Sequence, residues 1–259
     1  MEDRENVSYQ ISLGTEETME YSIVIEGLRK EFGEKLAVKD LNLKITEGSL
    51  FAMLGVNGAG KTTTIRMLTG LSKPTAGDAV VMGYRISEDM GEIKKLVNLS
   101  PQETSVAPNL TVRENLEFIA GIYGFDKVKV KRKTEEMLEQ FHLGEVEHSK
   151  AKTLSGGWQR KLSIALALIT EPKILFLDEP TLGLDVLARR ELWREIEALK
   201  GKITMILTTH YMEEAESLSD EIAVMVKGEL KAVGSLEELK KLTGTEKLED
   251  AFVKIVEEM

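Results

Sequence analysis

An α/β core interrupted by a helical insertion is the fold class that this 259-residue sequence predicts. Three observations predict it. The apolar runs Leu50-Phe51-Ala52-Met53-Leu54, Ile174-Leu175-Phe176-Leu177, Ile203-Thr204-Met205-Ile206-Leu207 and Ile222-Ala223-Val224-Met225-Val226 are continuous rather than alternating. Such runs, separated by helices, mark strands buried on both faces of a mostly parallel sheet. The first run feeds a G-x-x-x-x-G-K-T at residues 55–62, followed by the helix-like Ile65-Arg66-Met67-Leu68. From about residue 88 to 170 the pattern turns mostly helical, punctuated by Pro101, Pro108 and several glycines.

Composition narrows the class of protein. With 42% hydrophobic and 30% charged residues the chain reads as a soluble globular protein with a substantial core. Net charge is −10, from 34 basic and 44 acidic residues, and no basic stripe stands out, so no nucleic-acid partner is expected. Cysteine is absent, which excludes disulfides and thiolate metal sites. The acidic start Met1-Glu2-Asp3-Arg4-Glu5 is not that of a signal peptide. The longest strongly apolar stretch, residues 162–169, is too short to span a bilayer. The expectation is a cytoplasmic protein that reaches a membrane only through another chain.

In chain order, residues 1–20 form a polar extension. Residues 21–28, with Ser22-Ile23-Val24-Ile25 rich in β-branched residues, predict a strand. Phe32-Gly33-Glu34-Lys35 predicts a turn, and Leu36-Ala37-Val38 and Leu41-Asn42-Leu43-Lys44-Ile45 two half-buried strands. Lys73-Pro74-Thr75-Ala76-Gly77-Asp78 breaks the chain before a short strand, Ala79-Val80-Val81-Met82. Thr111-Val112-Arg113-Glu114 is a capping box opening an amphipathic helix, and residues 128–141 continue as a charged helix. A second capping box, Ser235-Leu236-Glu237-Glu238, precedes a closing helix whose apolar face is Leu248, Phe252 and Ile255.

The chemistry begins at the glycines. Gly55, Gly58 and Gly60 permit positive φ and leave no Cβ in the way. Successive amide N–H groups then form an anion nest at a helix N-terminus. Lys61 would reach the β- and γ-phosphates and the Thr62 hydroxyl would ligate Mg²⁺. The strand 174–178 ends in two carboxylates: Asp178 suits the metal side, Glu179 the side of an attacking water. Leu154-Ser155-Gly156-Gly157 offers a hydroxyl and open amides at the start of a long helix, either a second anion site or a plain Ser N-cap.

The phosphate loop, Gln102, Leu154-Ser155-Gly156-Gly157, Leu177-Asp178-Glu179-Pro180, Gly183-Leu184-Asp185 and Thr209-His210 occur in the order seen in ATP-binding cassette ATPases, which residues 21–235 resemble. Thr209-His210-Tyr211-Met212-Glu213-Glu214-Ala215-Glu216 and Leu248-Glu249-Asp250-Ala251-Phe252 look most like the drug and lipid exporter branch. The resemblance implies a phosphate-loop core over residues 21–234: a mostly parallel sheet with flanking helices, an N-terminal antiparallel β part and a helical subdomain at about 88–165. Residues 235–259 would form a C-terminal helical segment. It further implies that Phe32 stacks on adenine, although a core Phe is the other reading, and that Gly55, Asn57, Gly58, Ala59, Gly60, Lys61, Thr62 and Thr63 hold the phosphates of ATP. Thr62, Gln102 and Asp178 would hold Mg²⁺. Glu179, His210, Lys61 and Gln102 would serve the hydrolytic step. Ser155, Gly156, Gly157 and Asp185 would face the ATP of an opposite subunit in a head-to-tail dimer, although Asp185 could equally be only a helix N-cap.

One departure stands out: Trp158 occupies the place where many members carry Gln. The implied function is the ATP-hydrolysing subunit of an exporter, working with a second cassette and a separate transmembrane permease at the inner face of the membrane. A soluble assembly ATPase of the iron–sulfur type is the alternative. A chromosome-type cassette would need a long coiled coil between Gln102 and Ser155, for which there is no room.

Overall fold

The computed structural model describes residues 21–258, so the polar extension at 1–20 lies outside the described residues. Two sheets share the load. Strands β1 (Tyr21–Phe32), β2 (Lys35–Thr46), β4 (Ala76–Val81) and β5 (Tyr84–Arg85) make an antiparallel sheet in the order β2-β1-β4-β5. Strands β3 (Leu50–Leu54), β6 (Val97–Ser100), β7 (Ile174–Asp178), β8 (Thr204–Thr209), β9 (Glu221–Val226) and β10 (Glu229–Gly234) make the second, in the order β10-β9-β3-β8-β7-β6. That sheet is parallel except for β10, which returns antiparallel to β9.

The continuous apolar runs are explained by a core on each side of the second sheet. Phe51 and Met53 of β3, Ile174 and Phe176 of β7, Ile206 of β8 and Met225 of β9 pack toward the antiparallel sheet, against Ile23, Leu28 and Ile45. The alternate residues Leu50 and Leu54, Leu175 and Leu177, Leu207 and Val224 pack toward helices on the other face. Period-2 alternation therefore persists, but both of its phases are apolar.

The helices are α1 (Lys61–Leu68), α2 (Met90–Leu96), α3 (Val112–Ile122), α4 (Lys127–Gln140), α5 (Gly156–Leu168), α6 (Val186–Glu197), α7 (Met212–Leu218), α8 (Leu236–Thr243) and α9 (Leu248–Glu258). Both expected capping boxes form. The Thr111 hydroxyl accepts from Glu114 N–H at 3.1 Å while Glu114 accepts from Thr111 N–H at 2.7 Å, and Ser235 and Glu238 repeat the exchange. Each closes donors that a helix start leaves open.

Several local expectations are corrected. Phe32 and Lys35 end and begin strands, leaving a two-residue turn at Gly33 and Glu34. The two short strands after it are a single strand, β2, whose pairing register with β1 shifts around Asp40, which adopts φ 42°. The strand near residue 79 starts earlier, at Ala76, and stops before Met82, which turns in the left-handed region. Val97-Asn98-Leu99-Ser100 is not helical but the edge strand β6, paired in parallel with β7. It follows α2 with no breaker between them, so only the pairing reveals it. The pairing matters because Gln102 lies just past the end of β6. Strand β10 was not expected and is held by pairing to β9, whereas α7, a helix between two of the buried strands, packs Ala215 and Leu218 into the core.

Candidate nucleotide site

The phosphate loop leaves the C-terminal end of β3, where Gly55 N–H donates to Thr209 O at 3.2 Å. Its glycines are needed for two different reasons. Gly60 has φ 102°, a left-handed conformation that L side chains rarely adopt, and precedes the first residue of α1. Gly55 is needed for space: a Cβ there would sit 2.3 Å from Met225 O. Of the two reasons expected for these glycines, positive φ and the absence of a Cβ, Gly60 shows the first and Gly55 only the second. The first amides of α1, at Lys61, Thr62 and Thr63, have no carbonyl one turn back within the helix, and all three residues line the cleft, so these amides are potential anion donors.

Lys61 is 4% exposed. Its Nζ donates to Gly55 O at 2.6 Å and lies 3.4 Å from Glu179 Oε1. Burial pushes the Lys61 ammonium below its ordinary pKa, opposed by the charges of Glu179 and Asp178. Asp178 ends β7 with its Oδ1 accepting from Thr62 Oγ1 at 2.9 Å and from Thr208 Oγ1 at 2.6 Å. Glu179 follows in the left-handed region, φ 49°, a backbone state costing of order 1–3 kcal/mol for a non-glycine residue. Thr208 compensates by accepting the Glu179 N–H at both O and Oγ1, each 3.1 Å. The Glu179 carboxylate is thereby aimed into the cleft, where Oε2 meets His210 Nδ1 at 2.7 Å.

These groups converge on one cleft of about 340 Å³. Of the residues singled out from sequence, Phe32, Asn57, Gly58, Ala59, Gly60, Lys61, Thr62, Thr63, Gln102, Glu179 and His210 line it, with Asp178 directly behind Thr62. Phe32 is 53% exposed at the rim, not a core residue. Lys35, Ala37 and Leu182 also line the cleft and were missed. Thr208 was missed too; its only signal was a hydroxyl residue near the end of an apolar strand.

Ser155, Gly156, Gly157 and Asp185 do not line this cleft. Ser155 is the exposed N-cap of α5 and its side chain makes no cap hydrogen bond. A Cβ on Gly157 would lie 3.2 Å from Ala188 Cβ, so the glycine lets the first turn of α6 approach. Asp185 caps that turn, accepting from Leu187 and Ala188 N–H at 2.9 and 3.0 Å. The two turns thus share one surface apart from the cleft.

A parallel sheet with a phosphate loop at its carboxyl end, a strand-terminal carboxylate pair and a helical insertion defines a phosphate-loop ATPase domain. Residues 38–182 match the ABC transporter family, and the chain belongs to it. It is 48% identical to the human phospholipid-transporting ATPase ABCA3 over 202 residues, 78% of this chain but only 12% of that protein. It is 37% identical over 229 residues to the daunorubicin resistance ATP-binding protein DrrA3 of Streptomyces coeruleorubidus, covering 88% of this chain and 72% of the relative. Among solved structures, an ABC transporter ATP-binding subunit superposes with TM-score 0.80 at 28% identity, covering 90% of this chain and 98% of that one. A dimeric ATP-binding cassette in a post-hydrolysis state with ADP and Pi superposes with TM-score 0.74 at 26% identity, covering 83% and 98%. Among the described residues, no helix is long and apolar enough to cross a membrane.

Proposed function

We propose that this chain hydrolyses ATP to drive an exporter, as one of two cassettes arranged head to tail against a transmembrane permease at the cytoplasmic face. The observation that carries the reading is the division just described. Lys61, Glu179, His210 and the Thr62–Asp178 pair meet in one cleft, while Ser155 presents an uncapped hydroxyl elsewhere. A second subunit would bring its own Ser155-Gly156-Gly157 over the ATP of the first. The likeness to a drug-resistance ATP-binding protein and to a phospholipid-transporting ATPase supports export.

In this reading the amides of α1 and Lys61 bind the β- and γ-phosphates, Lys61 exchanging the Gly55 carbonyl for phosphate oxygen. Phe32 stacks on the adenine from the rim. The donor set fits Mg²⁺: Thr62 Oγ1 and Asp178 Oδ1 are hard oxygens 2.9 Å apart, with the Gln102 side chain lining the same cleft. The ion when bound would neutralise phosphate charge. Glu179 accepts the proton of the attacking water, held in orientation by His210 and Lys61, and His210 contacts the γ-phosphate. The surface groove formed by Leu99, Pro101, Ser105, Ile119 and Tyr123, beside the exposed Phe118 and Ile122 of α3, is where a permease helix would press.

The test mixes two defective subunits. Ser155→Arg and Lys61→Ala chains should each be inactive alone. Their mixture should recover part of the hydrolysis rate, because each mixed dimer keeps one composite site. A mixture that dimerises yet never exceeds either mutant would overturn the head-to-tail arrangement.

A further inference from the structure

Arg160 is a buried cation that none of the steps above employs. It lies on α5, five residues after Ser155, and is 3% exposed. Its guanidinium donates through Nη1 to Pro101 O at 2.6 Å and through Nη2 to Gln102 O at 2.8 Å and Glu179 O at 2.9 Å. One planar fork therefore ties together the loop after β6, the residue after β7 and the helix behind the Ser155 turn. Its charge lies in the field of Asp178, Glu179 and Glu214. Burial lowers the Arg160 pKa and those three carboxylates oppose the shift.

The placement of these bonds is informative. All three acceptors are backbone carbonyls, so Arg160 leaves the carboxylate of Glu179 and the amide of Gln102 free to act in the cleft. Glu179 needs such support because its left-handed backbone is strained, and its N–H side is already clamped by Thr208. Arg160 clamps the opposite, carbonyl side. A lysine would place a cation there but cannot supply a rigid fork to two loops at once.

We propose that Arg160 is a positioning residue for hydrolysis: by bonding their backbone carbonyls it holds Glu179 and Gln102 in register across the cleft and links both to the helix that carries Ser155. This rests on Glu179 acting as the base.

The experiment is a double-mutant cycle on the full chain, reading kcat, KM for ATP and thermal unfolding for Arg160→Gln, Arg160→Lys, Glu179→Gln and Arg160→Gln/Glu179→Gln. Arg160→Gln should lower kcat by roughly tenfold or more while KM stays within about threefold. Arg160→Lys keeps the charge among the carboxylates, and so the fold, and should still lose several-fold in kcat. In the Glu179→Gln background the Arg160→Gln change should cost clearly less than it does alone, because one of the two groups it positions is gone. Folded Arg160 variants with kcat within twofold of the wild type, or a loss that multiplies fully with that of Glu179→Gln, would overturn the proposal. A Glu179→Gln protein as fast as the wild type would instead overturn the assignment of the base.

Discussion

The nucleotide cleft and the Ser155 turn contain the same ingredients, hydroxyls and glycines at a helix N-terminus, yet one is closed upon itself and the other is open. In the cleft, Thr62 and Thr208 both bond Asp178, and Lys61 and His210 both meet Glu179. At the Ser155 turn the hydroxyl takes no cap bond and Trp158 stands at the position where a capping box would need Glu or Gln. The other Ser and Thr caps, Ser235 and Thr111, are closed by Glu238 and Glu114. The chain can complete a helix start and does so elsewhere. A buried site must satisfy its polar groups internally, whereas an exposed one can wait for a ligand brought by another molecule.

The strongest way to break this comparison is to remove the base from the closed half. Glu179→Gln keeps shape and hydrogen-bonding reach but cannot take a proton. Hydrolysis should fall by about 10²–10⁴, or about 3–5 kcal/mol of barrier, with ATP binding nearly intact. With MgATP the variant should elute from a sizing column as a dimer, held by ATP it cannot cleave. A variant that hydrolyses at the wild-type rate would show that the closed half is structural only.

A smaller effect sharpens the open half. Ser235→Ala should cost about 1 kcal/mol of stability, because its cap bond is lost. Ser155→Ala should cost less than about 0.5 kcal/mol in the isolated chain, because there is no cap bond to lose. Equal losses in denaturant titration would mean that Ser155 caps α5 after all.

The smallest effect concerns Glu214, a fully buried carboxyl near the closed half that accepts from Thr181 Oγ1 at 2.8 Å and Trp193 Nε1 at 3.2 Å. Burial raises its pKa above the ordinary glutamate value, so the folded chain holds the proton more tightly than the unfolded one. Below the unfolded value both states are protonated and nothing is lost. As pH rises through the interval up to the folded value, the unfolded chain ionises first and stability declines. Glu214→Gln removes that penalty and keeps an oxygen acceptor. The variant should match the wild type near pH 4 and exceed it at pH 8, by within about 1 kcal/mol. A variant less stable at pH 8 than the wild type would mean that ionised Glu214 is the favoured form.

What could be read from residues alone was what short-range chemistry dictates. The phosphate loop, the Asp178-Glu179 pair, the Ser155 turn and both capping boxes are patterns whose own residues lie within a few positions of one another, and the buried strands announce themselves by apolar runs. Tertiary structure decided the rest because pairing acts over distances that no local window contains. β6 is a strand only because β7 lies beside it, and Gly55 is indispensable because the Met225 carbonyl passes 2.3 Å from where its Cβ would be. Thr208 became a site residue only when β8 set it against Asp178, thirty positions upstream. Arg160 is the clearest case. In the sequence it is one more basic residue on a helix, and it gains meaning only when folding carries the carbonyls of Pro101, Gln102 and Glu179 to one guanidinium. Burying that charge is costly unless every donor finds an acceptor, and only the packed chain can supply three from two distant loops.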